Sequence, residues 1–93
     1  MSENKKRIVK SALIQMANKV PTEAPCEEHR QGMLDAHLPL IEEAGKKGVQ
    51  ILCFQEVFTG PYFCPSQDSK WYGLAERIPE GPTTQKMMEM AKK

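Results

Sequence analysis

The 93 residues lack an excess of charge of either sign: 13 lysines and arginines stand against 12 aspartates and glutamates. Such near-balance removes the electrostatic footprint by which a small domain holds nucleic acid or an anionic membrane. A long apolar run is missing too. Residues 8–16 are broken by Lys10, Ser11 and Gln15, so no stretch reaches membrane-spanning length. No signal-peptide core follows the basic cluster Lys5-Lys6-Arg7, which reads as a solvated end to a disordered tail over residues 1–6. The chain is therefore expected to be soluble and cytoplasmic. Paired cysteines are absent as well. Cys26, Cys53 and Cys64 form an odd set without a C-x-x-C, which argues against a disulfide framework or a zinc site. His29 and His37 match no common metal spacing with Cys26, so both are read as solvated or capping residues and no metal is expected. Finally, Met16-Ala17-Asn18-Lys19 carries no G-x-G-x-x-G, and a nucleotide-binding βαβ unit fails on that point. There is no internal repeat and no low-complexity segment.

What is present has the order of a crossover unit. Residues 7–16 read as a first strand, with β-branched Ile8 and Val9 and the apolar run Ala12-Leu13-Ile14. Pro21 and Pro25 mark a loop over residues 17–26. From about Glu27 to Lys47 the pattern is helical, with Leu34, Leu38, Ile41 and Gly45 on one stripe flanked by Met33, His37 and Ala44. Pro39 either kinks this helix or restarts it near Leu38. Gly48 suits a left-handed cap. Val49–Gln55 is apolar nearly throughout, as a strand covered on both faces reads, and Cys53 within it is expected to be a small buried hydrophobe. Strand, helix and strand together predict two parallel strands joined by a right-handed crossover. Residues 57–81 form a long loop with a short helical turn near Trp71–Glu76, and loops of that length usually serve function. Pro82 opens a last helix whose Met87, Met88 and Met90 should face a core. Two parallel strands with so few helices cannot be covered on both faces, so the chain reads as the front of a larger α/β domain.

Glu56 is the residue that carries chemistry. It stands where the second strand should end, and open parallel sheets bind ligands beyond the carboxyl ends of their strands. The loop after it, Val57-Phe58-Thr59-Gly60-Pro61-Tyr62-Phe63-Cys64-Pro65, is aromatic and stiffened by proline. A carboxylate shielded there is a candidate general base; the competing reading is a surface ion pair. Tyr62 and Phe63 either line the mouth of a pocket or pack beneath the loop. Gln15, at the end of the first strand, either supports the site from behind or simply ends the sheet. Cys64 has Phe63 and Pro65 beside it and no base or cation to activate a thiol, so it is not taken as a nucleophile.

Several blocks together resemble the nitrilase (carbon–nitrogen hydrolase) superfamily. They are Ile14-Gln15-Met16, Ile41 through Glu56, Leu74-Ala75-Glu76, and Glu80-Gly81-Pro82-Thr83-Thr84, so the resemblance covers nearly all of the chain from Ile8 onward. Gln55 through Cys64 is similar to the N-carbamoyl amide hydrolase branch, of β-ureidopropionase type, with the N-carbamoylputrescine amidase type beside it. The resemblance implies an α/β fold in which residues 1–93 are the N-terminal, incomplete segment of a single domain, a four-layer α-β-β-α sandwich. It also implies a Glu-Lys-Cys catalytic set of which only Glu56 is present, the lysine and the nucleophilic cysteine lying beyond Lys93. Implied too are hydrolysis of an N-carbamoyl small molecule such as N-carbamoyl-β-alanine through a cysteine thioester, no cofactor, and homo-oligomers of the full-length protein. On that basis the segment alone should be inactive. The rival of a different class is a non-catalytic truncated piece or assembly element.

Overall fold

A computed structural model of the chain describes residues 7–63 and 67–93. The expected tail over residues 1–6 and the reading of Cys64 lie outside the described residues. Strand β1 spans Ser11–Ile14, helix α1 Cys26–Lys46, strand β2 Ile51–Phe54 and helix α2 Pro82–Lys92, with a 3₁₀-helix over Ser69–Leu74 between β2 and α2. β1 and β2 pair in parallel, Ser11 opposite Ile51 and Ile14 opposite Phe54. Both strands are shorter than the sequence suggested. Residues 7–10 and 49–50 lie outside the strands, although Lys10 still accepts backbone bonds from Gln50 at 2.7 Å and Ile51 at 3.3 Å.

Helix α1 starts after Pro25, whose carbonyl accepts the amides of Glu28 and His29, and Glu27 and Glu28 complement the positive end of the helix dipole. It runs through Pro39 without ending there. Proline removes one backbone bond and crowds the preceding turn, a cost of about 3 kcal/mol. Buried residues on both sides of it, Leu34 and His37 before and Ile41 and Ala44 after, offset that cost by holding one continuous face against the sheet and loop. At the far end Gly48 adopts a left-handed φ of 78°, the Gly48 amide bonds to the Gly45 carbonyl and the Val49 amide to that of Ala44. These two bonds make a Schellman cap and satisfy carbonyls that the helix leaves open.

The buried stripe of α1 is rotated from the one read in the sequence. It comprises His29, Arg30, Met33, Leu34, His37, Ile41 and Ala44, while Leu38 is half-buried and Gly45 is exposed. Both histidines are fully buried, contrary to the solvated or capping role expected for them. Each has aromatic rings to pack on: His29 meets Trp71 edge-on at 5.1 Å, and His37 meets Phe54 and Phe58. The 3₁₀-helix thus covers the start of α1, and the turn after β2 covers its middle.

Among the described residues the sheet is covered on one face. Ile14 is buried and Ala12, Leu52 and Phe54 are half-buried toward α1, while Leu13, Ile51 and Cys53 on the alternate face are exposed. Cys53 is therefore not the buried hydrophobe expected: side chains alternate along a strand, and these residues place no layer over its side. The methionines of α2 correct another expectation. Met87 and Met90 are half-buried and Met88 is exposed, because α2 meets α1 along one edge only. Met87, Met90, Ile41, Leu52 and Phe54 line a cleft of about 440 Å³ between α1, β2 and α2.

Candidate active site

Glu56 follows β2 by two residues and opens the turn over residues 56–59, so it stands at the carboxyl edge of the parallel pair. The chain on either side of it is tightly held. Before it, the Gln55 side-chain oxygen accepts the Met16 amide at 2.6 Å, tying the continuation of β1 to the end of β2. After it, Val57 has φ of 53°, a left-handed conformation that a β-branched residue rarely adopts. Phe54 and Phe58 then bracket the glutamate and pack on each other at 4.7 Å. Gly60 is buried, and a Cβ on it would come within 2.6 Å of Leu74 Cδ1, so a larger residue there would require the Leu74 side chain to shift.

The Glu56 side chain itself is exposed. The shielding expected from the aromatic loop is not supplied by the residues present, because Phe54 and Phe58 turn their rings to His37 on α1. Tyr62 is 75% exposed and Phe63 is half-buried, both on the loop that Glu56 begins. Gln15 is exposed, and it is Gln55 that links the two strand ends. Cys53 lies on the open sheet face, and Cys26 donates its thiol to the Lys70 carbonyl at 3.2 Å. Among the described residues no group of His, Cys, Asp and Glu is arranged to hold a metal ion. None of the described helices is long and apolar enough to cross a membrane.

A second polar assembly joins the starts of α1 and α2. Arg30 on α1 pairs with Glu76 at 2.8 Å and donates to the Gly73 carbonyl at 3.0 Å, while Glu27 binds its other terminal nitrogen. Glu76 in turn accepts the Thr83 amide at 2.8 Å and the Thr83 hydroxyl at 2.5 Å, capping α2, whose N-cap Gly81 has no side chain to do so. Burial opposes charge on Glu76, but the Thr83 hydroxyl and amide and the Arg30 guanidinium outweigh it and hold the carboxyl below the usual carboxylate range. This hub fastens the N-terminal ends of α1 and α2 to the loop that leaves the Glu56 turn. Sequence reasoning missed it, as it missed His37 and Gln55; the only signal was the i, i+4 spacing of Met33, His37 and Ile41.

Residues 10–93 match the family described as carbon-nitrogen hydrolase. A beta-ureidopropionase of Arabidopsis thaliana is 38% identical over 87 residues, which cover 94% of this chain and 21% of that protein. An N-carbamoylputrescine amidase of Oryza sativa subsp. japonica is 34% identical over 67 residues, 72% of this chain and 22% of that protein. One from Solanum lycopersicum is 38% identical over 53 residues, 57% of this chain and 18% of that protein. The chain thus spans about a fifth of the length of these curated relatives. No solved structure gives a significant match. With a family match running from Lys10 to Lys93, through both strands, both helices and the Glu56 turn, the chain belongs to the carbon–nitrogen hydrolases.

Proposed function

We propose that Glu56 is the proton-transfer carboxylate of an amidase that hydrolyses an N-carbamoyl small molecule, and that these residues are the leading part of its single domain. The observation that carries the reading is the placement of Glu56 at the carboxyl edge of a parallel pair, on backbone fixed at both sides, within a family of carbon–nitrogen hydrolases. The substrate class comes from the relatives, which are named for N-carbamoyl chemistry at 34–38% identity. N-carbamoyl-β-alanine is the favoured substrate, an N-carbamoyl diamine the next, and another amide of the same superfamily the third.

An amide carbon is a poor electrophile, so the reaction uses a thiol nucleophile and stabilises the oxyanion that its attack creates. Glu56 accepts the thiol proton as sulfur bonds to the carbonyl carbon. The same proton goes to the departing nitrogen as the C–N bond breaks and a thioester forms. Glu56 then takes a proton from water, whose oxygen attacks the thioester and returns the thiol, and the carbamic acid so released loses carbon dioxide to free the second nitrogen. Over the cycle an N-carbamoyl amine and one water give the free amine, ammonia and carbon dioxide. The thiol and its companion lysine come from chain outside these residues. So does the cover over Glu56, in the form of the second sheet of a four-layer sandwich laid on the bare face of Leu13, Ile51 and Cys53. Tyr62 and Phe63 stand at the mouth of the pocket so formed. The segment by itself is inactive, and the full-length protein works as a homo-oligomer without a cofactor.

The test is Glu56→Gln in the full-length protein, assayed by ammonia release from a panel of N-carbamoyl amino acids, N-carbamoyl diamines, simple amides and nitriles. Loss of a general base lowers the rate about 10²–10⁴-fold, with more expected where one group serves several steps. A near-normal rate in that variant removes Glu56 from the reaction. Turnover of amides but of no N-carbamoyl compound refutes the substrate class.

A further inference from the structure

Three rings close on one another directly beneath the Glu56 turn. His37, fully buried on α1, meets Phe54 edge-on at 5.3 Å and Phe58 edge-on at 5.2 Å. Phe54 and Phe58 are the residues two before and two after Glu56. The imidazole is fixed by a 2.7 Å bond between Nδ1 and the Met33 carbonyl. A carbonyl only accepts, so Nδ1 carries a proton toward Met33, and the ring's other nitrogen is Nε2. That Nε2 is buried without a partner. A phenylalanine here would fill similar space and leave no unsatisfied nitrogen. What it could not supply is the Nδ1–H tether that sets the rotation of the ring, and with it the edges offered to both phenylalanines.

The backbone says why that rotation matters. Val57 is left-handed at φ 53°, a conformation that persists in a β-branched residue only when its surroundings over-determine it. Those surroundings are the Gln55–Met16 bond before the turn and the Phe58 ring held by His37 and Phe54 after it. We infer that His37 is a positioning residue for Glu56: its tethered ring clamps Phe54 and Phe58, keeps Val57 left-handed and so aims the carboxylate. Without the ring, Phe58 is free to shift, Val57 relaxes toward the ordinary extended or helical region, and the side chain of Glu56 turns with it. His37 touches no reacting atom. The inference rests on the reading of Glu56 as the proton-transfer group.

The experiment measures kcat and KM for ammonia release from N-carbamoyl-β-alanine by the full-length protein, wild type and His37→Ala, His37→Phe, Glu56→Gln and the Glu56→Gln/His37→Ala double variant. A misplacement of about 1 Å in a reacting group costs about 10²-fold. His37→Ala is therefore expected to lower kcat about 100-fold with KM within about threefold of wild type. His37→Phe, which keeps the volume and serves if the alanine variant does not fold, should lose about tenfold in kcat, since the ring remains but its tether does not. In the Glu56→Gln background His37→Ala should lower kcat no further, because there is no base left to aim. Unchanged kcat in either folded single variant, or a full additional loss in the double variant, overturns the inference while leaving Glu56 in place. A fully active Glu56→Gln variant instead overturns the reading beneath it and the inference together.

Discussion

Replacing Glu76 by alanine probes the joint between the two helices. Its carboxylate serves three partners at once, the Arg30 guanidinium and the amide and hydroxyl of Thr83. The Arg30 and Glu76 side chains are 7% and 11% exposed, so the pair is largely out of water. Removing one member of a buried pair costs about 3–5 kcal/mol because the other charge is left behind. Arg30 would retain the Gly73 carbonyl and Glu27, the latter on an exposed side chain, which places the loss at the lower end, about 3 kcal/mol. The cap on α2 goes with the same carboxylate, and caps alone are worth about 1 kcal/mol. Against a typical total of about 5–15 kcal/mol the loss is large. Urea denaturation of the full-length protein should show it in the midpoint, and amide exchange at Thr83 should accelerate about 100-fold. Glu76→Gln keeps an acceptor for Thr83 and should cost about half as much. Because the folded carboxyl titrates below its ordinary range, its contribution is complete above the unfolded value of about 4.3 and fades as pH falls through the lower folded value. Wild type should therefore lose stability below about pH 4 more steeply than Glu76→Ala. A midpoint within about 0.5 kcal/mol of wild type, with Thr83 exchange unchanged, would show that desolvation cancels the pair and refute the reasoning.

Gly48→Ala should destabilise by about 1 kcal/mol in chemical denaturation. Its φ is 78° and a Cβ there meets nothing within 4 Å, so the whole cost is conformational, whereas Gly45→Ala, inside α1 with equal space, should change stability in the opposite direction. Leu13→Lys should be tolerated by the isolated segment, where that side chain is 82% exposed. In the full-length protein the same change should cost at least the about 1.5–3 kcal/mol of burying a leucine, read as lost soluble yield and a lower midpoint. Equal tolerance in both would leave the sheet without a second layer.

The order of elements was legible because hydrophobic period and turn chemistry speak locally. The run Ile51–Phe54, the proline at the start of α2 and the glycine after α1 each announce themselves within a few residues. The parallel pairing followed from strand, helix and strand in that order. Burial was read less well, since it depends on what lies opposite. A continuous apolar strand looks covered on both faces, yet Ile51 and Cys53 face outward because the layer they suit is not among these residues. His29 and His37 look polar in a string of letters and become core residues only when Trp71, Phe54 and Phe58 fold over them. Glu56 could be found from its place at a strand end. The clamp around it could not, for it depends on a left-handed valine and a histidine nineteen residues upstream, neither of which any local pattern encodes.

The bare sheet face has a consequence for how such a segment behaves among its own kind. Among the described residues neither outer margin of the two-stranded parallel ribbon has a further strand beside it, and the margins flank a greasy row of Leu13, Ile51 and Cys53. A neighbour of identical sequence can add a strand to either margin and lay its own row against the first, so that growth by stacking competes with solubility. A charge placed in that row would interrupt such propagation.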